Sequence, residues 1–246
     1  STLDRSSAAS DVYKRQTLCC ASVTAHAEET KAPAYPVSAN GDGAVSNGYS
    51  ISRWAEDWRV MASKARRDDP LDRLKFLPLT GDDSVYLTLS GELRLRMNQA
   101  TNPNLREGEA QRQDISRVVA GADLHVGPHL RFYGELAHGG LGGENLGKPS
   151  SNFRNGLAAQ QYFAEVSEEV GGLDVGIRYG RQEFVDGPNL LTSQRDNNTM
   201  HYTLNGVRAW VRGKAVRADV FDFRPTAYGE DGLRDDKSDP ERRFSG

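Results

Sequence analysis

Hydrophobic and polar side chains alternate with a period of two along the chain from residue 84 onward. In the stretch SVYLTLSGELRLRMN at residues 84–98, apolar residues occupy the odd-numbered positions, and polar or aromatic residues occupy the even-numbered ones. The apolar positions are Val85, Leu87, Leu89, Leu93, Leu95 and Met97, and the charged residues between them are Glu92, Arg94 and Arg96. Because successive side chains of a strand point to opposite faces, this pattern predicts a β-strand with one apolar and one polar face.

The same period recurs in six further segments, so the pattern predicts seven strands. These segments span residues 115–126, 129–138, 159–170, 173–184, 202–212 and 215–223. Short turns at 127–128, 171–172 and 213–214 alternate with long polar connections at 99–114, 139–158, 185–201 and 224–243. Strands of about ten alternating residues, with short turns at one end and long loops at the other, are typical of outer-membrane β-barrels.

An outer-membrane barrel gives each face of the predicted strands its own environment. The apolar face meets lipid, while Glu92, Arg94 and Arg96 face a water-filled or ion-paired interior. Backbone groups in hydrocarbon need hydrogen-bond partners, so the barrel has to close. A single-chain bacterial barrel has an even number of strands, about 8 to 26, so we expect further strands beyond residue 246. We therefore predict an all-β fold, an antiparallel transmembrane β-barrel present as an incomplete barrel of about seven to eight strands after a short N-terminal helix.

The first 27 residues differ in character from the predicted barrel. Residues 1–16, STLDRSSAASDVYKRQ, are polar and lack a compact basic region, and we interpret them as a non-native leader. Residues 17–27 end in Ala25-His26-Ala27, a small-residue pattern that predicts the remnant of a cleaved signal peptide. Both cysteines, Cys19 and Cys20, lie in this remnant, so we expect no disulfide in the mature chain.

A linker and a helix are predicted between the signal peptide and the barrel. Residues 28–50 are rich in Ala, Pro, Gly, Ser and Asn without periodicity, which indicates a flexible linker. Trp54, Trp58, Met61 and Ala65 follow at helical spacing, which predicts a short helix and a break at Pro70. We assign residues 51–80 to a periplasmic helix and loop, and residues 81–246 to the N-terminal part of the barrel.

The composition excludes several classes of protein. The 246 residues carry 31 basic and 34 acidic side chains, a net charge of −3, and the mean hydropathy is −0.65. No run of about 18 apolar residues predicts a membrane-spanning helix, and the near-neutral charge argues against nucleic-acid binding. No group of residues has a recognisable catalytic arrangement, so we do not expect an enzyme.

Two apparent ligand motifs are incomplete. The stretch GGENLGKP at 142–149 matches a phosphate-binding loop in part, but Pro149 replaces the hydroxyl residue that binds magnesium. His125 and His129 flank a turn without a further ligand at metal spacing. We therefore expect no cofactor and no metal site.

Two segments of the chain resemble the alginate export family of outer-membrane β-barrel proteins. They are RWAEDWRVMASKARRDDPLDRLKFLPL at 53–79 and IRYGRQEFVDGPNLLTSQRDNNTMHYTLNGVRAWV at 177–211. The resemblance runs from residue 50 to residue 246 and implies the N-terminal half of a large barrel. It also implies a channel, which in the best-known member is an arginine-lined pore for an anionic uronic-acid polysaccharide. Because members differ in function, the resemblance implies a channel more firmly than it implies alginate.

The predicted inner face has arginine, and no lysine, at its basic positions. The basic positions are Arg94, Arg96, Arg117, Arg131, Arg178, Arg208, Arg212 and Arg217, and the acidic positions are Glu92, Asp123, Glu135, Glu165, Asp174 and Asp219. A guanidinium binds a carboxylate in a planar, bidentate way, so this wall suits weak, repeated capture of carboxylated solutes. The alternative is an internal ion-pair network that only satisfies the charges of the lumen.

We select eight residues as candidate contacts for a solute. They are Arg178, Arg181, Arg195, Arg94, Arg96, Arg131, Arg208 and Glu165. Arg178 and Arg181 are favoured because they lie in the family-like strand end. Arg195 is favoured because its loop could fold inward as a constriction.

The sequence leads to one functional hypothesis and two alternatives. We hypothesise a porin-like channel in the outer membrane of a Gram-negative bacterium for passive passage of anionic saccharides or related carboxylated solutes. Its partners would be outer-membrane lipid, the solute and periplasmic export machinery, and no nucleic acid. The alternatives are an uptake channel for unrelated small molecules and a small filled barrel with an adhesive or structural role.

Overall fold

One antiparallel sheet dominates the computed structural model, which describes residues 48–105, 107–148, 150–185 and 192–246. The strands are β1 (Leu77–Pro78), β2 (Val85–Thr101), β3 (Ala110–Val126), β4 (Leu130–Glu144), β5 (Asn155–Val170), β6 (Leu173–Gln182), β7 (Leu204–Arg212), β8 (Arg217–Ala227), β9 (Lys237–Ser238) and β10 (Phe244–Ser245). Seven of them, β2 to β8, are long, and the other three have two residues each.

The strands follow one another in the sheet as an antiparallel meander. Each of β1 to β8 pairs with its neighbour in the chain, and β9 and β10 both pair with β8. Within the described residues β2 and β8 do not pair with each other, so the sheet is open. The prediction of an all-β, incomplete barrel is thereby confirmed.

The two faces of the sheet separate apolar from charged side chains as predicted. On β2, Leu95 is 74% exposed and Met97 is 65% exposed, whereas Arg117 on β3 and Arg208 on β7 are 2% and 0% exposed. We call the face with Leu95 the outer face and the face with Arg117 the inner face. An exposed aliphatic face opposite a buried charged face is typical of strands that meet lipid on one side.

Three tight connections join the strands at one end of the sheet, which we call the short-turn end. They are residues 127–129 between β3 and β4, 171–172 between β5 and β6, and 213–216 between β7 and β8. Gly171 and Gly172 have φ angles of 61° and 78°. Positive φ at both positions fits a type I′ hairpin turn, which glycine adopts without strain. The predicted short turns are confirmed.

At the opposite end of the sheet, the strands are longer than predicted and include residues that the sequence pattern assigns to loops. The predicted loops at 99–114 and 139–158 are too long, since the actual connections are residues 102–109 and 145–154. Polar residues and glycine occupy both faces of the extensions, so the alternation is lost although the backbone pairing continues. The β6–β7 loop, residues 183–203, is the longest connection between the long strands.

The short helix predicted around the tryptophans is present as 3-10 helix, divided into four pieces. They are Arg53–Ala55, Arg59–Ala62, Lys64–Arg66 and Pro70–Lys75. Pro70 begins the last of them, and the Leu71 N–H donates to Asp69 Oδ1 at 2.7 Å as a cap. Proline suits the first helical position because its φ is fixed and it has no N–H to leave unpaired.

The remaining predictions about the N-terminal region are not tested by the fold. The leader at 1–16, the signal-peptide remnant at 17–27 and nearly all of the linker at 28–50 lie outside the described residues. The division between 51–80 and 81–246 stays a prediction, with the first long strand beginning at Val85. Among the described residues, no helix is both long and apolar enough to cross a membrane.

Candidate functional site

Two segments outside the long strands cover the inner face of the sheet. The first is the N-terminal segment, residues 50–58, which precedes every strand that the structure describes. The second is the β6–β7 loop, described at residues 183–185 and 192–203. Both place side chains against charged residues of β2 to β4, and together with them they form the candidate site.

Arg53 fixes the N-terminal segment to two carboxylates of the inner face. Its Nη1 donates to Glu92 Oε2 at 2.7 Å, and its Nε donates to Glu135 Oε2 at 3.1 Å. The side chains of Arg53 and Glu135 are 5% and 1% exposed, so bulk water solvates neither charge. Buried charges are tolerated when they are paired and hydrogen-bonded. Arg53 therefore ties the segment to both β2 and β4.

Glu183 holds the same segment from the β6–β7 loop. Ser52 Oγ donates to Glu183 Oε2 at 2.5 Å, and Trp54 Nε1 donates to the same oxygen at 2.9 Å. The Trp54 ring packs in a buried cluster with Tyr133 and Phe163. The segment is thus held by polar contacts and by packing of its tryptophan.

A β-bulge in β5 completes the hydrogen bonding of Glu135. The β4–β5 register shifts there, because Gln161 pairs with Glu135 whereas Ala159 pairs with Leu136. Gln160 is the extra residue, so two consecutive glutamines are buried on the inner face. Their Nε2 groups donate to Glu135 Oε1 at 2.7 Å from Gln160 and 3.2 Å from Gln161.

Asp196 anchors the β6–β7 loop to the strand arginines. Its Oδ1 accepts from Arg117 Nη2 at 2.7 Å, and its Oδ2 accepts from Arg94 Nη1 at 2.8 Å. Burial would raise the pKa of Asp196, but hydrogen bonds from His201 and Arg117 hold it well below its usual range. The loop therefore adds a carboxylate, present as the anion, to the arginine-rich wall.

His201 connects Asp196 to Glu183, the carboxylate that holds the N-terminal segment. Its Nδ1 lies 2.5 Å from Glu183 Oε1, its Nε2 lies 3.1 Å from Asp196 Oδ1, and its side chain is fully buried. Burial alone would lower the pKa of His201, but the charge of Glu183 and hydrogen bonds to both carboxylates raise it to about 9. The same pairing lowers the pKa of Glu183 against the opposing effect of burial.

The raised pKa makes His201 an imidazolium at neutral pH, so both ring nitrogens donate hydrogen bonds. Arg117 Nη1 also lies 3.0 Å from His201 Nε2. Both groups are donors when His201 is charged, so they do not bond to each other, and both cations contact Asp196 Oδ1. Two separate segments are thus joined through one buried network of alternating charge.

The other charges of the inner face pair with near neighbours on the sheet. Arg131 pairs with Asp123 at 2.6 Å, Arg178 pairs with Glu165, Arg208 and Arg217 share Asp219 at 2.6 Å each, and Arg212 lies 3.8 Å from Asp174. Each of the six predicted acidic positions therefore has an arginine partner. This pairing supports the ion-pair interpretation for much of the arginine wall.

Two of the three favoured candidates lie deep in the wall. Arg178 is buried, and its guanidinium lies over the rings of Trp54 and Phe163, 4.2 and 4.3 Å from their centroids. Arg181 is also buried, and its Nε donates to Asn205 Oδ1 at 2.9 Å. Their contact with a solute stays a prediction, and burial leaves little of either guanidinium accessible.

The loop that carries the third favoured candidate does fold onto the inner face. Asp196, rather than Arg195, makes its contact with the strand arginines, while Arg195 lies over the Tyr202 ring at 4.8 Å. Arg94 retains more solvent contact, with 26% of its side chain exposed. Arg96 donates to a backbone carbonyl of the same loop at 2.7 Å. Arg195 is exposed, and among the candidates on the strands this pair on β2 is the most accessible to a solute.

Four members of the site were not predicted from the sequence: Arg53, Glu183, Asp196 and His201. The contacts that define them join distant parts of the chain: Arg53 and Glu135 are 82 residues apart, and Trp54 and Glu183 are 129 apart. Neither alternation nor spacing indicates such contacts. The only signal was that all four residues lie in the two family-like stretches.

A cavity of about 570 Å³ lies between residues 54–59 and the short-turn end of the sheet. Its lining includes Trp54, Asp57, Trp58 and Arg59 from the N-terminal region, and Tyr86, His125, Arg131, Ser167, Asp174, Trp210 and Arg212 from the sheet. All three tryptophans of the chain are among these residues. Small-molecule sites range over about 300–1,000 Å³, so the cavity has the size of a ligand site.

Within the ranges that the structure describes, no cluster of three or more His, Cys, Asp or Glu side chains could hold a metal ion. The acidic groups of the inner face are instead engaged with arginine, histidine and amide donors. The chemistry that this surface offers is therefore hydrogen bonding and charge pairing.

Comparison with known proteins places this geometry in a family. A family model described as Alginate export matches residues 85–246, more than half of the chain. No curated protein and no solved structure matches the chain. The matched region begins at the first residue of β2, so it includes every long strand, the arginine-rich inner face and the β6–β7 loop. The chain therefore belongs to the alginate export family, a family of outer-membrane transport channels.

Proposed function

We propose that the chain is part of a passive outer-membrane channel for anionic saccharides or related carboxylated solutes. The observation that carries this proposal is the contrast between an aliphatic outer face and an inner face whose strand cations are arginines. Guanidinium groups bind carboxylates in a bidentate way, and competing interior acids keep each site weak enough to release the solute. Membership of the alginate export family supports the same function.

Arg94 and Arg96 are the residues at which we expect a solute carboxylate to bind first. Arg94 is partly exposed, whereas Arg117 and Arg208 are at most 2% exposed. A solute carboxylate would take the place of Asp196 on Arg94, and the loop would restore the original pair after release. The buried arginines would hold the wall in shape rather than contact the solute.

Conductance of the full-length protein in planar bilayers tests this proposal. We expect an anion preference, because fixed positive charge in a narrow lumen raises the local anion concentration. R94A/R96A should shift the reversal potential toward cations at low salt, and much less near 1 M, where the screening length is about 3 Å. R112A is the control, since Arg112 is exposed and pairs with Asp114. An unchanged reversal potential in R94A/R96A would contradict the anionic solute.

The favoured candidates need a separate variant, R178A/R181A/R195A. If these arginines bind the solute, the variant should lose the current block that added oligouronates cause in the wild type. If they are structural, fewer channels should fold, but each open channel should keep the wild-type block. Single-channel recording separates the two results because it counts channels and measures each one.

We further propose that the channel lies in the outer membrane of a Gram-negative bacterium and that residues 17–27 end its signal peptide. The Ala25-His26-Ala27 pattern supports cleavage after Ala27. N-terminal sequencing of protein from purified outer membranes should find Glu28 first. A pull-down from the same membranes would test the proposed contact with periplasmic export machinery.

A small filled barrel is a second candidate, favoured by the coverage of the inner face by the N-terminal segment and the β6–β7 loop. A barrel of about eight strands has an interior that side chains fill, whereas 16 to 18 strands leave an aqueous channel. Folded full-length protein that gives no single-channel steps would favour the filled barrel. Conductance without block by oligouronates would favour the uptake channel for unrelated small molecules.

A further inference from the structure

The cavity at the short-turn end differs in its balance of charges from the region around Arg94 and Arg96. Two acid–arginine pairs line it: Asp57 with Arg59 at 2.6 Å, and Asp174 with Arg212 at 3.8 Å. The side chains of both pairs are partly exposed. Each guanidinium at the cavity thus has its counter-charge beside it.

The full lining of the cavity is close to electrical balance. Its acids are Glu56, Asp57, Asp83, Glu165 and Asp174, and its arginines are Arg59, Arg131, Arg178 and Arg212. A site with this balance gains little from a net charge on its ligand. It does suit hydroxyl groups, because a hydroxyl donates to a carboxylate and accepts from a guanidinium at the same time.

Aromatic rings supply another part of the wall. The rings of Tyr86 and His125 stack at 4.5 Å, and both residues line the cavity. The Trp210 ring lies on the backbone of Gly176, where an added Cβ would come within 2.2 Å of it. Glycine at 176 therefore lets the ring pack flat on the strand. Ligand pockets combine such apolar walls with a few placed polar groups.

We propose that this cavity is a saccharide-binding site that takes pyranose units through their hydroxyl groups, with no requirement for a carboxylate on the sugar. The apolar C–H groups of the ring contact the aromatic wall, and the hydroxyls bind the two acid–arginine pairs. The inference rests on the proposed function, since it gives a saccharide channel a binding site at its short-turn end. A sugar chain held there would next meet Arg94 and Arg96.

Tryptophan emission of the detergent-folded, full-length protein tests the site, with glucose tetramers and galacturonate tetramers as probes. The cavity is lined by all three tryptophans of the described chain, so a bound sugar should change the emission. We expect Kd values for the two tetramers that agree within about threefold, less than 1 kcal/mol. Raising the salt to about 1 M should change neither value appreciably, because charge does not drive the binding.

A matched pair of variants assigns the binding to the cavity. Ser167 lines the cavity on the inner face, so S167F should fill it and raise both Kd values at least about tenfold. Asn98 lies on the inner face of β2 near the other end and does not line the cavity, so N98F should keep the wild-type values. R212A provides a second variant without added bulk, and it should weaken binding of both tetramers.

The outcomes separate this site from the channel. Absence of emission change and of calorimetric heat with both tetramers would overturn the site while an anion-selective conductance stands. Binding of the galacturonate tetramer alone would overturn hydroxyl recognition. If S167F and R212A bind both tetramers with the wild-type Kd values, the sugar does not bind in this cavity. Binding by a protein that conducts no ions would support the site and contradict the channel.

Discussion

Two groups of ion pairs lie on the same face of the sheet but depend on different parts of the chain. In the local group, Arg208 and Asp219 are 11 residues apart on the adjacent strands β7 and β8. In the long-range group, Arg53 reaches Glu135 across 82 residues, and Arg117 reaches Asp196 across 79. A local pair needs only the correct register of one hairpin. A long-range pair needs a whole segment to fold onto the sheet.

The comparison shows why the N-terminal segment and the β6–β7 loop are required parts of this fold. Glu135 is almost fully buried, and its ion-pair partner in the structure comes from the N-terminal segment. A buried carboxylate without a partner is strongly unfavourable, so the strands alone would leave an unstable inner face. The strand acids and the covering segments therefore stabilise each other.

The largest expected effect comes from breaking the long-range group at Arg53. R53A should lower the free energy of unfolding by about 3–5 kcal/mol, because it leaves Glu135 buried without its cation. R59A is the control on the same stretch: Arg59 is mostly exposed and pairs with Asp57, so about 0–1 kcal/mol is expected. Urea unfolding in lipid vesicles measures both, and equal losses would contradict the distinction between buried and exposed pairs.

The titration of His201 gives the next largest effect. Its pKa is raised from 6.5 to about 9, so its contribution to stability is fully present below about pH 6.5 and is lost as the pH rises through about 9. The contribution is about 3 kcal/mol at its maximum. The stability difference between wild type and H201Q should therefore shrink between about pH 6.5 and 9. A constant difference over that range would show that the pKa of His201 is the same in the folded and unfolded states.

A double-mutant cycle sharpens the comparison by measuring coupling. R53A and D196A remove opposite ends of the network that runs through Glu92 and Arg117. Their combined loss of stability should deviate from additivity by about 1 kcal/mol. R53A combined with D219A should be additive within about 0.5 kcal/mol, since Asp219 belongs to the local group. Additivity in both cycles would mean that the two covering segments are energetically independent.

The smallest effect is expected within the local group. R217A removes one of two arginines on Asp219, and Arg208 remains paired with that carboxylate at 2.6 Å. The loss should be about 1 kcal/mol, the net value of one hydrogen bond. R208A leaves Arg217 in the same way and serves as the comparison. A loss from R217A as large as that from R53A would remove the distinction between the two groups.

The local half of this structure could be predicted from the sequence with few errors. Alternation identified the seven long strands and their faces, and the glycine-rich turns fixed the short-turn end. The missed strand extensions at 99–101 and 139–144 do not alternate between apolar and polar residues, although their backbone pairing continues. The predicted helix is divided into short 3-10 pieces, and the indoles of Trp54 and Trp58 donate to Glu183 and Glu56.

Which side chains share a face follows from the order of residues, because a period of two is a property of the extended backbone and needs no knowledge of distant residues. Which charges meet depends on how the whole chain folds. Glu135 is satisfied by Arg53 and by a bulge at Gln160 that interrupts the alternation without a sequence signal. His201 becomes a charged link because Glu183 and Asp196 approach it in the folded chain. Such contacts depend on the path of the whole chain, and the physical reason is that burial makes each charge require a partner wherever the fold can supply one.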